Sequence, residues 1–255
     1  MKVVSVTYPK QKSFAEIVAE WDALAPIRLN HITDGTDVTY RRFIIPQMAS
    51  LLGNVKHRNV LDAGCGVGFF ANHISSRNCT VIAIDPSSTS IKVAREAFSK
   101  SIEFQVSSLE DFAENNSANF DAIVANMVLM DVLDLDSFLS AAKKVLAPGG
   151  TMIFSVTHPW FWPEYSGYAN LDWFNYHQEI VIEAPFSITR AIESSFPSTH
   201  IHRPLNSYFA AFARAEMNVV TMMEPMPSSE VQSLYPVDWQ YPRYLFGVLR
   251  KRVHQ

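Results

Sequence analysis

Val60-Leu61-Asp62-Ala63-Gly64-Cys65-Gly66-Val67-Gly68-Phe69-Phe70 decides the fold. A short apolar strand runs into a Gly-x-Gly-x-Gly turn, and the turn opens a helix. Glycines let backbone amides approach a ligand where a side chain would collide. The helix N-terminus adds unpaired N–H groups and a partial positive charge. Asp62, at the strand end, has the wrong charge for a diphosphate and the right one for an ammonium group. Seventeen residues beyond Gly68, Asp85 ends the next strand, where a carboxylate can accept hydrogen bonds from both hydroxyls of a ribose.

Outward from this stretch the rhythm is strand, helix, strand. The helix from Phe69 to Ser76 leads to a strand at 80–84, and Ser87 is the expected N-cap of a helix running to about Lys100. Strands are expected at 102–106 and 120–124. A helix over 136–146 stops at Pro148-Gly149-Gly150, and 151–156 is the next strand. A helix near 205–215, a strand near 219–223 and a last strand at 244–250 complete the set. Such alternation gives a doubly wound, mostly parallel sheet of α/β class with helices on both faces. Upstream, Phe14, Ile17, Val18, Trp21 and Leu24 recur at helical spacing, and Pro26 is expected to end that helix. A polar loop, 30–37, precedes a second helix from Phe43 to Leu52, closed by Gly53. The expected units are an N-terminal helical lid over 1–56, a ligand-binding core over 57–157, a cap insertion over 158–204 and C-terminal completion of the sheet over 205–255. Within the insertion, 179–183 and 187–192 read as a hairpin joined near Pro185.

Composition narrows the function. The chain has 255 residues, a formal charge of −4, 18% charged and 48% hydrophobic residues, enough to bury a full core. Mild acidity argues against a protein whose main task is gripping phosphate backbones. No apolar run is long enough to span a membrane, and the first 13 residues lack the pattern of a signal peptide. With only Cys65 and Cys79, a reduced, cytoplasmic protein is expected.

The acid, the glycine turn and the second acid resemble the class I S-adenosylmethionine-dependent methyltransferases. The resemblance runs over about 60–156 and implies a seven-stranded, Rossmann-like methyltransferase sheet with S-adenosylmethionine as cofactor and S-adenosylhomocysteine as product. It assigns cofactor contacts to Asp62, Gly64, Cys65, Gly66 and Gly68, to Asp85 and Pro86, to Ser108-Leu109 beside adenine, and to Asn126-Met127 at the mouth of the site. Leu146 to Thr151 matches the family's turn before the fifth strand. A nicotinamide-binding fingerprint would need Gly-x-Gly-x-x-Gly, and Phe69 occupies its last position. Thr157-His158-Pro159, His202-Arg203-Pro204-Leu205, Glu224-Pro225-Met226-Pro227 and Pro242-Arg243-Tyr244-Leu245 resemble a small-molecule subgroup of this family.

The methyl group arrives already activated in that chemistry, so the protein aligns a nucleophile and removes its proton. His158, after the fifth strand, is the leading base, with a loop-shaping role as the alternative. Asp131 and His202 are further catalytic candidates; Asp131 alternatively caps the next helix with Asp134 and Asp136. Arg28 is a candidate partner for a methionine carboxylate or a surface residue. The segment 158–177 holds eight large rings in twenty residues. With Trp21 and Tyr40 from the lid, Trp160, Phe161, Tyr165 and Tyr176 are expected to enclose the acceptor. A mini-core or a homodimer contact is the plainer reading of those rings. No metal site is expected.

Three functions follow. The first is transfer to O or N of a small, fairly apolar metabolite. The second is C-methylation of an alkene or aromatic ring through a carbocation, with Arg190, His202 and Arg203 meeting an anionic tail. The third is a non-catalytic binding scaffold. Charge, and the absence of an Asn-Pro-Pro-Tyr-like run at 126–129, argue against nucleic acid as acceptor.

Overall fold

In a computed structural model of the chain, residues 12–54, 58–98, 101–117, 119–188 and 196–252 are described. The described residues form α1 (Phe14–Thr33), a π-helical turn (Thr39–Ile44), α2 (Ile45–Leu52), β1 (Asn59–Ala63), α3 (Phe69–Ser75), β2 (Thr80–Asp85), α4 (Ser88–Ala97) and β3 (Glu103–Val106). Then come α5 (Leu109–Asn115), β4 (Phe120–Asn126), α6 (Leu135–Val145), β5 (Leu146–Thr157) and α7 (Phe161–Ser166). The chain closes with β6 (Ile180–Pro185), β7 (Pro197–His202), α8 (Leu205–Arg214), β8 (Met217–Met223), α9 (Ser229–Gln232) and β9 (Tyr244–Lys251).

Seven strands make one sheet in the order β3-β2-β1-β4-β5-β9-β8. The pairs from β3 to β5 are parallel, and β9 runs antiparallel between β5 and β8. Two apolar layers flank the sheet. One joins α5, α6 and α8 to it through Phe112, Phe138, Leu139 and Phe212; the other joins α2, α3 and α4 through Met48, Phe70, Ile74 and Ile91. Both faces are covered, which is why β1 and β4 are buried along nearly their whole length rather than at alternate residues. The strand order reverses between β1 and β4, and ligands of open α/β sheets bind outside the carboxyl ends at such a point.

Four expectations need correction. Pro26 lies inside α1, which continues to Thr33. A proline forfeits one backbone hydrogen bond, but Leu24, Ala25 and Ile32 bury the helix on both sides of it. The loop is therefore shortened to 34–37. The hairpin strand β6 pairs with Pro197–His202 and not with 187–192; much of that run lies outside the described residues. Leu146 pairs with Phe120 ahead of a register shift, so β5 starts before the Pro-Gly-Gly turn. Finally, α5 and α7 are helices that the apolar spacing did not announce. Ser108 starts α5 by accepting from the Asp111 N–H at 3.1 Å.

One close approach fixes the β5–β9 pairing. A Cβ placed on Gly247 would lie 2.5 Å from the Phe154 ring and 2.8 Å from the Met222 sulfur. Gly247→Ala is expected to destabilise the protein by about 1–3 kcal/mol through overpacking. A urea unfolding midpoint equal to wild type would show that the two sheet faces tolerate that methyl.

Candidate active site

The glycine turn sits at the carboxyl end of β1 and is held by β2. The Gly64 and Cys65 N–H groups both donate to the Ile84 carbonyl, at 2.8 and 2.9 Å. Gly64, Gly66 and Gly68 have φ of 78°, 52° and 78°, values that only glycine adopts freely. Their surroundings differ. A Cβ on Gly64 would strike Val128 at 2.5 Å, and one on Gly68 would strike Ala94 and Phe104 at 2.8 Å. A Cβ on Gly66 meets nothing within 4 Å. Two glycines thus serve close packing, while the third faces open space.

Two carboxylates flank that space. Asp85 accepts from the Gly66 N–H at 2.8 Å and from the Ser87 N–H at 2.9 Å. Burial pushes it up to about 6, against those two donors. Asp62 is 1% exposed, and its Oδ2 has no hydrogen-bond partner among the described residues. Burial, and then the charge of Asp85, push its carboxyl up to about 7, with the Ala71 backbone N–H opposing. A buried carboxylate oxygen without a donor is a group waiting for one. The open cradle and this oxygen fit a ligand bearing an ammonium group and a hydroxylated ring.

The N-terminal helix is fastened over the same edge. Asp22 on α1 accepts from the Ser87 hydroxyl at 2.7 Å and the Thr89 N–H at 2.9 Å, tying α1 to the start of α4. Ala25 and Ile32 pack on Val67 of the glycine turn, together with Leu29, Tyr40 and Phe69. The Tyr40 hydroxyl accepts from Asn126 Nδ2 at 3.2 Å, and Asn126 Oδ1 accepts from Ser155 Oγ at 2.8 Å. Arg28 is neither exposed nor free: it pairs with Asp37 at 2.7 Å and lies over the Tyr40 ring. Met127 has φ of 59°, uncommon for a side chain of its size, and its N–H is held by Ser155 Oγ at 2.9 Å. Trp21 stands edge-on to Phe186. Pro86 is half-buried after Asp85, and Leu109 is buried in the core below Ser108. Cys65 is buried, with its thiol pushed up by burial.

The candidate bases part company. His158 Nδ1 accepts from the Trp160 and Phe161 N–H groups at 3.1 and 3.2 Å, which leaves its proton on Nε2, 2.6 Å from Glu224 Oε1. Both ring nitrogens are occupied, and burial lowers the ring's pKa. These bonds tie the His158 ring to the start of the following loop and to Glu224. His202 donates from Nε2 to the Tyr176 carbonyl at 3.0 Å and packs between Phe174 and Tyr176. Asp131 does not cap α6; Asp134 does, accepting from Ser137 N–H at 2.9 Å. The Asp131 N–H instead donates to the Val128 carbonyl at 2.8 Å in the turn after β4, and desolvation pushes its carboxyl well above the ordinary range.

The aromatic segment is largely packed on itself. Trp160 meets Tyr176 and is 58% exposed; Phe161 stacks on Tyr241 at 5.2 Å; Tyr165, 42% exposed, covers the Arg243 guanidinium at 3.8 Å. The Tyr176 hydroxyl accepts from Leu205 N–H. Trp162 and Tyr168, which sequence reading did not single out, line a small cavity beyond β5 with His158, His200, Arg203 and Tyr208. Arg203 does not meet an anionic tail. Its buried guanidinium donates to the Leu129, Val132 and Leu133 carbonyls and to Glu179, and Arg190 lies outside the described residues. No group of three metal-ligating side chains occurs among the described residues, and none of their helices is long and apolar enough to cross a membrane.

Comparison with known proteins agrees with this edge. Residues 61–154 match the methyltransferase domain family. Over those residues the chain carries a methyltransferase domain. Over 102 residues it is 37% identical to the human mitochondrial ubiquinone biosynthesis O-methyltransferase, covering 38% of this chain and 28% of that protein. Over 144 residues it is 31% identical to the ubiquinone biosynthesis O-methyltransferase of Methylocella silvestris, covering 52% of this chain and 56% of that one. The chain thus matches well under two thirds of the length of these relatives. The fold extends further. An S-adenosylmethionine-dependent methyltransferase structure from Listeria monocytogenes superposes with a TM-score of 0.65 at 20% identity, over 82% of this chain and 97% of that one. The 1,6-didemethyltoxoflavin-N1-methyltransferase of Burkholderia thailandensis, with S-adenosylhomocysteine bound, gives 0.61 at 14% identity, over 98% and 95%.

The two raised carboxyls make the methyltransferase domain pH-sensitive. Both bind a proton more tightly folded than unfolded, so they favour the fold below about pH 4 and withdraw that support as pH rises through about 6 and 7. Asp62→Asn removes the buried charge. It is expected to raise the ligand-free Tm markedly more at pH 8 than at pH 5. A Tm gain equal at both pH values would contradict the assignment.

Proposed function

We propose that the chain transfers a methyl group from S-adenosylmethionine to an oxygen or nitrogen of a small, fairly apolar metabolite. The observation that carries this reading is the pair of buried carboxylates beside the open Gly66 cradle. Asp62 would receive the cofactor's ammonium group on its unpartnered Oδ2, and Asp85 its ribose hydroxyls. Gly66 leaves room for the backbone to approach. The activities in the relatives' names, O-methylation and N1-methylation, support transfer to a heteroatom.

When bound, the cofactor supplies a methyl group already activated on sulfur, so the chain's residues need only bind, orient and deprotonate. Asp131 is the proposed base. It lies just past β4, which borders the switch point, and desolvation raises its carboxyl well above the ordinary range, making it a stronger base than an exposed aspartate. Tyr40 and Asn126, linked to each other, would close the mouth between the N-terminal helix and β4. That closure would exclude water from the transfer. We place the protein in the cytoplasm, working on a free small molecule.

Two variants test separate parts of this. Gly66→Val should lower S-adenosylhomocysteine affinity by at least ~100-fold, because the branched side chain fills the open space and strains a positive φ. Asp131→Asn should keep cofactor affinity and lose ~10²–10⁴-fold in kcat, read as S-adenosylhomocysteine release across a panel of phenols and amines. Full cofactor affinity in the first variant, or wild-type turnover in the second, overturns the corresponding assignment.

A further inference from the structure

A second acidic feature lies outside the cofactor cradle. Between α1 and the β6–β7 hairpin runs a groove of about 360 Å³, lined by Lys12, Glu16, Ala19, Glu20, Ala23, Val181, Glu183 and Pro197. Its walls carry three carboxylates and one ammonium over a floor of small apolar side chains. Glu20 is only 8% exposed. Its Oε1 accepts from Lys12 Nζ and from the Thr199 hydroxyl at 3.1 Å, and its Oε2 has no partner among the described residues.

We propose that this groove seats an ammonium group of the methyl acceptor on Glu20. Three observations lead there. The unpartnered Oε2 belongs to a buried side chain that lines the groove, and a buried carboxylate oxygen requires a donor. Lys12 already shows what chemistry the groove takes, since its ammonium bridges Glu20 and Glu183. Glu20 is also tied to the loop that carries Asp131, because its partner Thr199 lies two residues before Ile201, whose N–H donates to the Met130 carbonyl at 2.6 Å. The Glu20 wall of the groove is therefore joined through β7 to the loop of the proposed base.

The neighbouring cations reinforce the charge selection. Lys12 is spent on two glutamates, Arg203 on backbone carbonyls and Glu179, and Arg28 on Asp37. An anionic acceptor would meet Glu20 and Asp131 with none of these three guanidinium or ammonium groups free. An acceptor with a protonated amine a few atoms from its nucleophile would place the amine on Glu20 and the nucleophile toward Asp131. This rests on the methyltransferase reading and adds the substrate's charge class to it.

The test uses hexylammonium and hexanoate as matched probes, titrated calorimetrically into the full chain with and without saturating S-adenosylhomocysteine. Hexylammonium should bind at least tenfold more tightly than hexanoate. Glu20→Gln should weaken it at least tenfold while cofactor affinity stays at the wild-type value. Because Glu20→Gln also loses contacts to Lys12 and Thr199, a second variant is needed. Ala19→Lys, on an exposed helical position, builds a competing ammonium into the groove and should likewise abolish probe binding with the Tm unchanged. Equal affinity for both probes, no hexylammonium binding at millimolar concentration, or retained binding in both variants overturns the proposal. Failure of S-adenosylhomocysteine to bind would count against the methyltransferase reading alone, since the groove is also titrated without it.

Discussion

Asp62 and Asp85 stand at the carboxyl ends of neighbouring strands, and the burial of both carboxyls is the constraint around which this edge is organised. Burying two carboxylates side by side is unfavourable unless something compensates. Asp85 is compensated by the backbone, through the N–H groups of Gly66 and Ser87. Asp62 is compensated only in part, and one oxygen has no donor among the described residues. The turn aims the Gly66 N–H at Asp85, commits the Gly64 and Cys65 N–H groups to the Ile84 carbonyl, and leaves open the space beside Gly66. A fold optimised for stability alone would not keep this arrangement. It is the kind of local cost that functional sites carry.

The elements around the cradle are tied down by charges too. Asp22 joins the N-terminal helix to α4, and Lys12, Glu20 and Thr199 join it to the hairpin. Arg203 fastens the loop after β4 to the strand end of β7. The Ile201 N–H donates to the Met130 carbonyl at 2.6 Å, reinforcing the same seam. The proposed base, Asp131, lies in the loop that these contacts hold.

Much of this architecture is legible in the sequence because its signals are local. The acid, the three glycines and Asp85 sit within 24 residues, and the apolar strands β1, β2 and β4 have clear ends. What escapes is set by distant partners. His158 looks like a free base until Glu224, 66 residues on, is found at its Nε2. The partner of β6 is chosen by β7's contacts with α1 and with the loop after β4, which no turn signal encodes. The rings of 158–177 read as pocket walls, but Trp160 and Tyr176 satisfy each other, and the inward role falls to Trp162 and Tyr168. Glu20 carries no sequence signal at all; a glutamate on an amphipathic helix looks solvated until its burial is seen.

Burial pushes the Asp62 carboxyl up to about 7, and an arriving ammonium group would convert it to an ion pair with loss of its proton. Titrating S-adenosylhomocysteine at pH 7 in two buffers of different ionisation enthalpy measures the protons exchanged on binding. The account predicts net proton release from the wild type, and markedly less from Asp62→Asn. Binding with no proton exchange, or equal release from both proteins, would contradict it.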